Sequence, residues 1–195
     1  MIISIFEKVK GFLMNPNEAF RQAKGDEPAT VLPYFVLLLL IDAVLSAALI
    51  SVFMIGTSPL PGLVTGGISG AVLLFLITLA GGFLCTLVFG AWLHLWAYIF
   101  GGRQGIWQTL KAVMYGSTPS LLFGWIPFVG FIFFLWSLVL GIFGIHELQE
   151  ISSVKATLAV ALAVMIPLIL LIIVASYFLI ATVTTTGPAM MTGPL

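Results

Sequence analysis

The 195-residue chain is 61% hydrophobic and only 7% charged, with seven basic and seven acidic side chains and no net charge. A soluble domain carries about 25% charged residues, so the solvent of this chain is largely lipid and the expected fold is an all-α polytopic membrane domain. Electrical neutrality argues against a nucleic-acid partner, and the lone Cys85 excludes an intrachain disulfide.

In chain order, residues 1–30 read as an amphipathic N-terminal segment. Ile2, Ile5, Phe6, Val9, Phe12 and Leu13 recur at helical spacing opposite Ser4, Glu7, Lys8 and Lys10. Such a helix either lies on a membrane surface or packs on the end of the bundle. The charges among its apolar residues argue against a cleaved signal peptide. Asn15-Pro16-Asn17-Glu18 then offers an N-cap, a proline at the first helical position and an acid three residues on. A second short helix is expected to about Lys24, ended by Gly25 and Pro28.

Residues 31–183 form one membrane domain with spans expected at about 32–55, 68–100, 106–123, 127–145 and 155–183. A Pro- and Gly-rich loop is expected over 56–67, and a flexible tail over 184–195. The stretch 68–100 would make roughly 50 Å of helix against a ~30 Å hydrocarbon core. It is read as one tilted helix, because two glycines (Gly81 and Gly82) seldom stop a membrane helix. The third span is short and carries Pro119, Gly124-Trp125-Ile126-Pro127 is a tight turn, and a kink is expected at Pro167. With five spans, Lys8, Lys10, Arg21, Lys24, Arg103, Lys111 and Lys155 all fall on one side. The positive-inside rule makes that side cytoplasmic, with the C-terminus outside.

Four polar side chains inside the spans form the candidate intramembrane site: Asp42, His94, Tyr115 and Thr118. Asp42, about 15 Å into its helix, is either a titratable ion or proton site or a structural hydrogen-bonding group. Its partners would be Thr78, Thr86, Tyr115 or Thr118 on neighbouring helices. His94 continues a face of Gly90, Thr86 and Gly82 that admits close helix packing. His146-Glu147-Leu148-Gln149-Glu150 lacks the second histidine of a zinc-protease helix, so no metal is expected there. Neither a nucleophile elbow nor a phosphate-binding loop is present, so no catalytic residue and no cofactor are expected. Trp92, Trp96, Trp107, Trp125 and Tyr34 read as interfacial anchors.

Two stretches carry a family resemblance. Lys111-Ala112-Val113-Met114-Tyr115-Gly116-Ser117-Thr118-Pro119 resembles the Y-G-x-x-P-type element of the Yip family of Ypt/Rab-interacting membrane proteins. Gly144-Ile145-His146-Glu147-Leu148-Gln149-Glu150-Ile151-Ser152, followed by Lys155-Ala156, is similar to the element before the last span of prokaryotic members, and Asn15-Pro16 with Phe20 also fits. The resemblance marks Tyr115, Gly116, Pro119, His146, Glu147 and Lys155 as motif residues and implies five spans and a non-enzymatic membrane protein. Eukaryotic relatives associate with Rab-type GTPases and trafficking machinery, whereas the short N-terminal segment here looks like that of compact bacterial and archaeal members. The expected partners are membrane lipids, other membrane or cytoplasmic proteins, and further copies of the chain through a Gly116-Ser120-Gly124 face. The competing expectation is a small transporter that uses Asp42.

Overall fold

A computed structural model describes residues 2–53 and 68–186, and among them helix is the only regular secondary structure. Eight α-helices follow in order: α1 Ile2–Met14, α2 Pro16–Gln22, α3 Pro28–Phe53, α4 Ile68–Ile99, α5 Ile106–Gly116, α6 Thr118–Phe123, α7 Val129–Leu148 and α8 Ser153–Thr186. One 3-10 turn, Ala23–Gly25, links α2 to α3. Four of the helices, α3, α4, α7 and α8, are long and apolar enough to cross a membrane. The expected loop over 56–67 lies outside the described residues. So does the tail from 187 onward, while residues 184–186 still belong to α8.

The boundaries shift for local reasons. Pro28 starts α3, where a missing N–H costs nothing, four residues before the expected start. Helix α4 is unbroken across Gly81-Gly82, because the nearby hydrocarbon offers the backbone no alternative hydrogen-bonding partner. The expected span 106–123 is not one helix. Ser117 is both the end of α5 and the cap of α6, because Pro119 lacks the N–H that would continue the first helix. The Ser117 and Ser120 hydroxyls turn back onto the Met114 and Ser117 carbonyls (2.9 Å each), and Ser137 Oγ of α7 accepts the Ser120 N–H at 3.0 Å. The break therefore leaves those groups paired. At α2, Asn15 makes no side-chain cap; its backbone carbonyl accepts the Ala19 N–H instead.

The chain divides into two compact units, residues 1–160 and 161–195. The second holds the remainder of α8, one helix that passes through Pro167 without a break in its assignment. In the first, α3 packs on α4, α5 lies between α4 and α7, and α6 contacts both α3 and α7. Helix α2 packs on α7, and α1 on α2 and α6. Lipid tails are as apolar as leucine, so helices within them associate through close packing rather than through expulsion of water. Glycines supply that closeness. A Cβ on Gly116 would stand 3.2 Å from the Gly141 nitrogen; one on Gly144 would stand 2.9 Å from the Ala112 Cβ and 3.0 Å from the Phe20 ring. On α4, Gly82 faces Leu39 and Gly90 faces Leu110, as the small-residue face behind His94 leads one to expect.

Over-packing these contacts should cost about 1–3 kcal/mol each. Gly116→Leu and Gly144→Leu should each lower the melting temperature in detergent measured by intrinsic fluorescence. Gly81→Leu, whose Cβ meets nothing within 4 Å, should leave it nearly unchanged.

Candidate functional site

The polar residues gather at one end of the first unit, where the segment before α3 meets α5 and the α7–α8 turn. Lys111, in the second turn of α5, is 1% exposed. Its ammonium donates to the Lys24 carbonyl at 2.7 Å and the Asp26 carbonyl at 3.2 Å. These carbonyls lie at the end of the 3-10 turn, where helical backbone carries partial negative charge and welcomes a cation. Asp26 closes the arrangement. Its Oδ2 accepts the Tyr115 hydroxyl at 2.5 Å and pairs with the Lys8 ammonium of α1, which also donates to the Tyr115 oxygen at 3.0 Å.

Aromatic packing surrounds this node. The Phe12 and Tyr115 rings stack at 4.5 Å, Tyr34 meets Tyr115 edge-on at 5.1 Å, and Phe12 meets Phe20 edge-on at 4.9 Å. All four side chains are buried, and such aromatic pairs add about 0.5–1.5 kcal/mol beyond the area they bury. The apolar stripe of α1 thus docks on the bundle, the second of the two sequence-level alternatives, although Phe6 and Met14 remain exposed. Between α1 and α2 a polar cleft of about 500 Å³ opens, lined by residues that include Glu7, Lys8, Glu18, Gln22 and Asp26.

A second cluster adjoins the first. Gln149, 2% exposed, accepts the Gln104 N–H at 3.1 Å and donates to the Gly105 carbonyl and to Thr109 Oγ1, both at 2.8 Å. One buried amide thereby holds the Gly101–Gly105 turn, and Gly102 is needed because a Cβ there would strike Gln149 Oε1 at 2.8 Å. Thr109 Oγ1 lies 2.9 Å from His94 Nδ1. Lys24 links the clusters: its carbonyl takes Lys111, and its ammonium lies 3.0 Å from Glu150 Oε1. The other Glu150 oxygen accepts Gln104 at 2.8 Å.

The four expected site residues therefore do not form one site. Tyr115 belongs to the Asp26 node. Thr118 donates to the Tyr115 carbonyl at 2.6 Å and lies 2.9 Å from the Tyr34 hydroxyl. His94 belongs to the Gln149 cluster. Asp42, half-buried, bonds Ser46 one turn along its own helix, where the sequence suggested a threonine or tyrosine of another helix; Thr86 bonds the Gly82 carbonyl instead. Of the motif residues, Gly116 lies against α7 and Pro119 starts α6. His146 donates through Nδ1 to the Ile151 carbonyl at 2.6 Å, with Glu147 beside its other nitrogen, and Lys155 Nζ lies beside Gly101.

Asp26, Gln149 and the buried state of Lys111 escaped sequence reasoning. A signal existed only for Lys111, a lysine five residues into an apolar helix. On the Gly116-Ser120-Gly124 face, Gly116 is buried against α7 and the Ser120 N–H bonds Ser137 of α7, while Gly124 is exposed. No group of three or more His, Cys, Asp or Glu able to hold a metal occurs among the described residues. The arrangement acts chemically as a latch, in which short polar bonds fix an amphipathic segment to a bundle end.

Asp26→Ala leaves the buried Tyr115 O–H without its acceptor and removes the carboxylate that pairs with Lys8, a loss of about 1–3 kcal/mol. Deuterium exchange in α1 should accelerate while exchange in α4 stays unchanged. Tyr115→Phe removes one hydroxyl without a cavity and should cost nearer 1 kcal/mol.

A protein-family profile described as "Yip1 domain" matches residues 10–183. Comparison with curated proteins and with solved structures gave no match.

Proposed function

Since the chain belongs to the Yip1 domain family and its long helices are those of an integral membrane protein, we propose that it works without catalysis, as a scaffold that organises membrane or protein partners. Its N-terminus is cytoplasmic and its C-terminus outside, with five membrane passes: α3, α4, the α5–α6 pair, α7 and α8. The division of basic residues supports this topology. Lys8, Lys24, Lys111, Arg103 and Lys155 all sit in or beside the two polar clusters, so that bundle end is the cytoplasmic one.

One observation carries the scaffold reading. The strongest polar contacts of the first unit are spent on docking α1 and α2, which leaves a formed cytoplasmic face with Glu18, Arg21 and Gln22 exposed. Partners of that face are other proteins or the anionic membrane surface; further copies of the chain would meet elsewhere than the Gly116 face. The transporter reading is weakened because Asp42 bonds within its own helix and joins neither cluster.

Purified protein in liposomes should pass no ions or small solutes. Flux that disappears in Asp42→Asn, with folding preserved, would overturn the scaffold in favour of transport. A photocrosslinker at Arg21 in native membranes should give discrete adducts that Asp26→Ala diminishes by loosening α1.

A further inference from the structure

After Asp42 the next charged residue in the chain is Arg103. The stretch of α4 apolar enough to span a membrane ends at Ile99, so the Gly101–Gly105 turn is where the chain leaves hydrocarbon for polar surroundings. Val88, Ala91, Leu95 and Tyr98 recur at spacings of three and four, which puts them on one face of α4. That face is open. Val88, Leu95 and Tyr98 are 69%, 48% and 53% exposed, and Ala91 is exposed between them. From Val88 to Tyr98 the stripe measures about 15 Å at the rise of an α-helix. That is half of a ~30 Å hydrocarbon core, or one leaflet.

Two exposed cations stand at the head of this stripe. Arg103 folds back over Tyr98, with its guanidinium carbon 3.7 Å from the ring centroid. Its Nη1 donates to the Tyr98 carbonyl at 2.6 Å and the Gly102 carbonyl at 2.9 Å, which uses both protons of that nitrogen. The N–H groups of Nη2 and Nε make no bond among the described residues. Lys155, in the first turn of α8, places Nζ beside Gly101, 3.8 Å from where a Cβ on that glycine would stand. Its ammonium makes no hydrogen bond or ion pair among the described residues. The ion pairs there are Lys8–Asp26, Lys24–Glu150 and His146–Glu147. Glu150, the acid that reaches this turn, has one oxygen on Lys24 and the other on Gln104. The turn therefore carries positive charge that no carboxylate of the described chain compensates, and at a membrane boundary such charge attracts anionic headgroups.

We infer that the C-terminal end of α4 is a binding site for one anionic phospholipid. Its phosphate takes the free N–H groups of Arg103 and the Lys155 ammonium, and an acyl chain lies along Tyr98, Leu95, Ala91 and Val88. The Tyr98 ring and two carbonyls hold the Arg103 fork in place, so it is set in advance for phosphate oxygens. A phosphate free in water would meet the same cations but would leave the stripe unused. The site goes beyond the scaffold reading, because lipid binding here needs only that this end of α4 lies at a membrane boundary, on whichever side.

Full-length protein in detergent is titrated with phosphatidylglycerol or phosphatidylcholine of identical chains, and bound lipid is counted by native mass spectrometry. Wild type should take its first phosphatidylglycerol at a several-fold lower concentration than phosphatidylcholine, and Arg103→Gln with Lys155→Gln should erase that difference. Equal uptake of the two lipids by wild type, or a preference unchanged in the double variant, would overturn the proposal. Lys155→Gln alone removes no hydrogen bond, so it should keep the melting temperature and still weaken the preference. A preference unmoved there would take Lys155 out of the site. Lys10→Gln and Arg21→Gln, at exposed positions in α1 and α2, should leave the preference intact; an equal loss in either would refute the site by reducing it to diffuse attraction. Glycerol phosphate, a head without chains, should not displace the lipid at millimolar concentration, and displacement would remove the α4 stripe from the binding. A dimer that the double variant dissolves would put acids of a second copy on these cations and so overturn lipid as the occupant.

Discussion

The ammonium of Lys111 is the contact on which the arrangement of the first unit depends. Buried at 1% exposure, it needs several hydrogen-bond acceptors to replace water. It finds them in the carbonyls of Lys24 and Asp26. That requirement draws the end of the N-terminal segment onto α5. Once it is there, the Asp26 carboxylate is placed to accept Tyr115 and to pair with Lys8, and Lys8 brings α1 with it. Phe12, Phe20 and Tyr34 then fill the space around Tyr115. A polar constraint sets the position, and apolar packing follows from it.

A second constraint acts away from that end, where neither water nor hydrophobic expulsion is available between helices. Contact there rests on small residues and on hydrogen bonds that close locally. Gly116 against Gly141 and Gly144 against Ala112 and Phe20 bring α5, α7 and α2 together. The break at Ser117 is tolerated because serine hydroxyls, one of them from α7, take up the backbone groups that it frees. The same rule explains why Asp42 bonds Ser46 and Thr86 bonds Gly82: a partner one turn away on the same helix is always within reach. Polarity inside a span is therefore weak evidence of a functional site.

The candidate site was legible only in fragments. Tyr115, Gly116 and Pro119 stood out as a motif, and the three act separately. Tyr115 binds the N-terminal segment, Gly116 admits α7, and Pro119 restarts the helix. His94 was read as a packing residue, and its bond to Thr109 fits that role. Asp26 was invisible because an acid between Gly25 and Glu27-Pro28 looks like any solvated linker. Its partners lie 18 and 89 positions away. Gln149 was hidden in the same way, since nothing local marks an amide that will close a turn 44 and 45 positions earlier in the chain.

Composition and periodicity by themselves determined the lipid solvent, the helical class, the positions of the long helices and the amphipathic character of α1. These follow from hydropathy, from the 1.5 Å rise of a helix and from the obligation to pair backbone groups in hydrocarbon. The tertiary structure decided the rest. It decided that α1 docks on the bundle end, that residues 106–123 form two helices, and that Tyr115 and His94 serve separate clusters with Asp42 in neither. Each of those outcomes depends on which groups distant in the chain come within hydrogen-bonding reach, about 3 Å, of one another. Local pattern carries no record of that, because a side chain's spacing states which face of its helix it occupies and not what the face will meet.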